Sequence, residues 1–107
     1  MNTVAFNDIV ENRLKMIKKI LVAKGAEYAP GADRLHNFNR AALILGRTRE
    51  EALIGMWTKH LVSILDIVDS IKTKKPSVAL IEEKLGDAIN YLILLEAMLK
   101  EDIQPKK

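Results

Sequence analysis

Apolar residues recur at helical spacing along most of this chain, and nowhere do they alternate with period two over a useful length. The pattern predicts helices and no strands. A first helix is expected from about Asp8 to Ala23, with Asn7 as its N-cap. Val10, Leu14, Ile17 and Leu21 share one face of it, while Glu11, Lys15, Lys18 and Lys19 decorate the others. Gly25 ends or loosens this helix, and Tyr28-Ala29-Pro30-Gly31-Ala32 carries turn chemistry. Asp33 can cap a short second helix, in which Leu35, Phe38, Ala42 and Leu45 keep the 3–4 spacing and Gly46 supplies the stop.

Thr48-Arg49-Glu50-Glu51 forms a capping box that opens a long helix to about Ile71. Leu53, Trp57, His60, Ile64, Ile67 and Ile71 make its packing seam. After a break at Lys72-Thr73-Lys74-Lys75-Pro76-Ser77, the last helix runs from about Val78 to Lys100, with Val78, Ile81, Leu85, Ala88, Leu92, Leu95 and Leu99 as its seam. The expected fold is all-α: one domain over residues 1–107, an antiparallel bundle built on a long two-helix hairpin with an N-terminal helix and a short extra one. Leu61, Leu65 and Val68, with Ile89 and Ile93, exceed what one hairpin covers, which points to a homodimer or a higher homo-oligomer.

Composition narrows the function classes. The 107 residues are 49% hydrophobic and 29% charged, enough for one modest core. The net charge is only +3, the basic residues are interleaved with acids, and five aromatic side chains (two Phe, two Tyr, one Trp) give little material for base stacking. Nucleic acid is therefore a disfavoured partner. Cysteine is absent, which excludes disulfides, thiolate metal sites and thiol nucleophiles. The first residues lack the basic flank and long apolar run of a signal peptide, and no stretch reaches the roughly 20 apolar residues of a membrane span. A soluble cytoplasmic protein is expected.

The candidate chemistry is acidic. Glu83, Asp87 and Asn90 stand at i, i+4 and i+7 in a segment that otherwise reads as core, so two carboxylates and a carboxamide share one stripe. Asp66 and Asp69 end the preceding helix, and an antiparallel hairpin carries them towards Glu83 and Asp87. Four converging carboxylates repel one another unless a hard cation neutralises them. Mg²⁺, which takes oxygen ligands and keeps several waters, is the expected cofactor. On this reading Asp66, Asp69, Glu83 and Asp87 hold the metal; Asp66, Glu83 and Asp87 carry the catalysis; and Asn90 holds a water or a phosphate. The bland alternative is a solvated acidic face, with Glu83 paired to Lys84 or Lys59 and Asn90 fixing helix register.

A second polar cluster contains Lys24, Tyr28, Arg34, His36 and Asn37, donors suited to a phosphate or a base edge, or else surface residues around the cap at Asp33. Lys59 and His60 form a third. Lys59 shares a stripe with Ser63 and Asp66, where it can meet phosphate charge; His60 lies on the seam, where a core role competes with a binding one.

The segments Glu27-Tyr28, Asp33-Arg34-Leu35-His36-Asn37-Phe38, Met56-Trp57-Thr58-Lys59-His60-Leu61-Val62-Ser63-Ile64-Leu65-Asp66 and Glu83-Lys84-Leu85-Gly86-Asp87-Ala88-Ile89-Asn90-Tyr91-Leu92 resemble small phage and prophage proteins of the nucleotide-modification-associated type. More remotely, the helical pairing is similar to the MazG-type all-α nucleoside triphosphate pyrophosphohydrolases, which bind Mg²⁺ through an ExxE motif and a later ExxD motif. That resemblance implies Asp66 and Asp69 as the first acidic pair and Glu83 and Asp87 as the second. It implies a nucleotide as partner and hydrolysis of the α–β phosphoanhydride as activity. The first pair is aspartate rather than glutamate, and Lys84 stands where the second motif expects an acid. A non-catalytic phage helical module that binds a nucleotide or a protein is the alternative.

Overall fold

The computed structural model describes residues 1–25 and 33–105. Every regular element among them is helical, with no strand, as the periodicity predicts. None of these helices is long and apolar enough to cross a membrane. The chain divides into two compact units, Met1–Arg34 and Leu35–Lys107.

In the first unit, α1 spans Thr3–Ile17 and continues as a π-helical stretch, Lys18–Lys24. The helix begins earlier than the expected Asp8. Asn2 accepts a hydrogen bond from the Ala5 amide at 2.8 Å, doing at the very start what Asn7 was expected to do. No residue of either stretch is buried. Arg34 donates to the Leu21 carbonyl of the π-helical stretch at 3.3 Å.

The second unit holds α2 (His36–Leu45), α3 (Arg49–Ser70) and α4 (Val78–Asp102). Helix α2 packs on α3, and α3 on α4. Leu35, rather than the expected Asp33, takes the N-cap position of α2, without a side-chain hydrogen bond of its own. Gly46 ends α2 in the left-handed region at φ 64°, where a Cβ would be strained. The capping box forms as expected: the Thr48 hydroxyl accepts from the Glu51 amide, and the Glu51 carboxylate accepts from the Thr48 amide, both at 3.1 Å. Ser77 caps α4 by accepting from the Leu80 amide at 3.1 Å.

Leu53 and Met98 are fully buried and join Leu35 and Phe38 in a core lined by Met56, Trp57, Tyr91, Leu94 and Leu95. The α3 side matches the predicted seam from Leu53 to Ile67, whereas Ile71 is exposed. The α4 side departs from it: Val78, Leu92 and Leu99 are exposed, and Tyr91, Leu94 and Met98 take the inner positions. A straight helix drifts against a strict heptad, and α2 supplies Phe38 to the C-terminal half of α4, so the buried stripe turns towards it.

Arg49, at the first position of α3, clasps the far end of α4. Its guanidinium donates to Glu101 at 2.9 Å, Asp102 at 2.6 Å and the Met98 carbonyl at 3.2 Å, and reaches Asn39 of α2 at 3.4 Å. Its side chain is 14% exposed. Burial works against the charge, but hydrogen bonds to Glu101 and Asp102 outweigh it and raise the Arg49 pKa above its ordinary value.

Arg49→Ala should lower the unfolding free energy by about 1–2 kcal/mol in urea denaturation, and added salt should narrow the gap. The Thr48 amide, then its hydroxyl, hold the Glu51 carboxyl below its ordinary range. A carboxyl with a depressed folded-state pKa stabilises above its unfolded pKa of about 4.3, and that contribution is lost as pH falls through the lower folded value. Thermal melts of Glu51→Gln should therefore show a weaker dependence on pH in the acid range than those of the wild type.

Candidate functional site

The antiparallel register of α3 and α4 decides which side chains meet. Near the middle of both helices, the Trp57 indole donates to the Ala88 carbonyl at 3.2 Å, using the second lone pair that a helical carbonyl retains. One turn along α3, His60 Nδ1 lies 3.8 Å from the Asp87 carboxylate. The His60 ring meets Tyr91 in a T-shaped contact at 4.7 Å, and Tyr91 in turn meets Phe38 edge-on at 5.9 Å. Further along, Ser63, Asp66, Ile67 and Ser70 of α3 share a cleft with Leu80 and Lys84 of α4, closed by Lys74 and Pro76 from the connection.

This cleft has a volume of about 270 Å³ and mixed chemistry. The Ser63 hydroxyl donates to the Lys59 carbonyl at 3.2 Å and the Ser70 hydroxyl to the Asp66 carbonyl at 2.7 Å. Their protons are spent on backbone, so both serines offer the cleft only acceptor lone pairs. Lys74, Lys84 and Asp66 are the charged residues of its lining.

The acids expected to form one metal centre occupy different surroundings. Asp66 lines the cleft, Asp69 is exposed on α3, Glu83 is exposed with its carboxylate 3.8 Å from Lys84 Nζ, and Asp87 faces His60. Among the described residues no three His, Asp or Glu side chains come together as a ligand set for a metal ion. A resident Mg²⁺ cage does not fit this arrangement.

Asn90 is 6% exposed, and its Oδ1 has no hydrogen-bond partner among the described residues. Lys59 is exposed and lines a different groove from Asp66, so the stripe joining them in sequence is divided in space. His36 and Asn37 are exposed in the first turn of α2. Lys24 is exposed at the end of the π-helical stretch, Arg34 is engaged with Leu21, and Tyr28 lies outside the described residues. Sequence reasoning missed Lys74 and Lys84 as a pair. The signal was present, since Lys84 was the one base in the acidic motif.

Asn90 gives a clean test of whether a buried polar atom awaits a ligand. Leaving Oδ1 unpaired costs about 1–3 kcal/mol, so Asn90→Leu should be neutral or stabilising by about 1 kcal/mol in urea denaturation. A clear loss of stability would mean that Oδ1 is already satisfied in solution.

No protein-family model matches the chain, and no curated protein or solved structure matches it significantly.

Proposed function

We propose that this protein is a MazG-like nucleoside triphosphate pyrophosphohydrolase acting in nucleotide metabolism on the Mg²⁺ complex of its substrate. The observation that carries this reading is the cleft where Asp66 shares one space with Lys74 and Lys84. Water would attack the α-phosphorus and the bond to the bridging α–β oxygen would break, giving a nucleoside monophosphate and pyrophosphate. The lysines would take up the charge that builds on the leaving pyrophosphate. Asp66 would hold the ion that travels with the phosphates, and Glu83 and Asp87 flank Lys84 as the second acidic pair. The His60–Asp87 pair lies one turn deeper along both helices, within reach of an extended substrate. A homo-oligomer belongs to the same proposal, because apolar positions on the outer side of α3 are left open.

Binding without turnover is the competing reading. It is favoured by the neighbours that Glu83 and Asp87 already have in Lys84 and His60. The two readings separate in one assay. With Mg²⁺ and a panel of common and modified deoxynucleoside triphosphates, the enzyme reading expects pyrophosphate release. Asp66→Asn should lower kcat about a hundredfold or more, and Lys84→Ala should raise KM by about tenfold. Calorimetric binding of a nucleotide with no pyrophosphate from any substrate would leave only the binding module.

A further inference from the structure

Helix α1 and the π-helical stretch after it carry an apolar face that stays exposed. At about 100° per residue, Phe6, Ile9, Val10, Leu14, Met16 and Ile17 fall within an arc of roughly 160°, while Asp8, Glu11 and Lys15 lie opposite. A surface helix of a folded domain turns such an arc towards a core. Here Phe6, Ile9, Val10 and Leu14 are 56%, 53%, 40% and 47% exposed, and neither α1 nor the π-helical stretch has a buried residue. The π-helical stretch prolongs the arc. Its hydrogen bonds close one residue later than those of an α-helix, as in the Gly25 amide donating to the Ile20 carbonyl, so each residue advances less around the axis. Continued α-helical winding would carry Lys24 onto the apolar side and Val22 off it. The wider turn does the reverse, and Ile20, Leu21 and Val22 extend the face begun by Ile9 and Leu14.

Charge decides what this face meets. From Arg13 to Lys24 the sequence carries Arg13, Lys15, Lys18, Lys19 and Lys24 and no acid. The whole chain has a net charge of only +3, so this one stretch holds more positive charge than the chain keeps overall. A basic helix with one apolar side is attracted by a surface that is negative outside and apolar beneath. Lys18 and Lys19 flank the arc on its two sides, and lysine stems lie along apolar surface while their ammonium groups stay at headgroup level. Arg13 stands within the arc, where lipid phosphate can meet its guanidinium. The stretch has no aromatic side chain with which to anchor in a protein pocket. We propose that α1 and the π-helical stretch form a docking surface for an anionic lipid bilayer, lying in the plane of the headgroups with the apolar face down. A helix that rests on a membrane need not be long or apolar enough to cross one. The hydrolase reading is not part of this proposal.

The test is cosedimentation of the full chain with lipid vesicles, and it involves no nucleotide. Vesicles in which half the lipid is phosphatidylglycerol should take the protein down at low salt, and about 0.5 M sodium chloride should release it. Vesicles of phosphatidylcholine alone should bind it at least about tenfold less. Lys18→Gln and Lys19→Gln should each weaken binding to the anionic vesicles about fivefold, and Leu14→Ser about tenfold, with unchanged helical circular dichroism. Replacing Lys72 and Lys75 by glutamine, outside α1, should change binding little. Hydrogen exchange of the unmutated chain should show vesicle-dependent protection over residues 3–24 and nowhere else, which decides the matter if a variant fails to fold. Equal binding to both kinds of vesicle, or a loss caused by the Lys72 and Lys75 replacements and not by those in α1, would overturn the proposal. A chain that ignores anionic vesicles at low salt would overturn it too, and leave the face to an acidic protein.

Discussion

Two antiparallel helices with apolar faces can slide past one another by a whole turn at little cost, since one aliphatic side chain replaces another. The Arg49 clasp removes that freedom. Its guanidinium is a rigid fork, and at the end of α4 it finds two carboxylates and a backbone carbonyl at fixed heights. A shift of one turn, about 5.4 Å, would break all three contacts and strand a largely buried cation. Register is therefore set at the start of α3 and the end of α4. Everything further along the hairpin follows from it, including Trp57 on Ala88, His60 beside Asp87 and the cleft at Lys84.

Much of the local architecture was legible because the rules behind it are local. Thr48 with Glu51 and Gly46 in the left-handed region announce their geometry within a few residues. The existence of α3 and α4 and the inward face of α3 were equally plain. The clasp was not, since Arg49 and its partners lie 49 to 53 residues apart and nothing near Arg49 reveals where its charge goes. The inner face of α4 was only half legible. A heptad drawn through Leu92 and Leu99 ignores Phe38, which comes from a separate helix and turns Tyr91 and Met98 inward. The early start of α1 was missed for a smaller reason, namely that Asn2 and Asn7 offer the same capping chemistry and only the backbone chooses between them.

The candidate site shows the same division. That acids would lie on α3 and α4 near the turn was readable from residue types and from an antiparallel hairpin alone. How they would be apportioned was not. A carboxylate settles beside whichever polar group the packing brings within reach, and the neighbours here are Lys84 for Glu83 and His60 for Asp87. Lys84 looked like an error in an acidic motif. In the fold it lines one cleft with Asp66 and Lys74.

The stripe of Glu83, Asp87 and Asn90 brings these threads together. By spacing the three residues share a face, yet they pass from exposed to half-buried to buried along α4. The cause is the same drift that carries Tyr91 and Met98 inward. One line of polar groups thus samples three environments within two turns. Glu83 stays in solvent, where its ion pair is worth little. Asp87 lies at the boundary, opposite the His60 imidazole. Asn90 is deep enough that an unmade hydrogen bond carries its full desolvation cost.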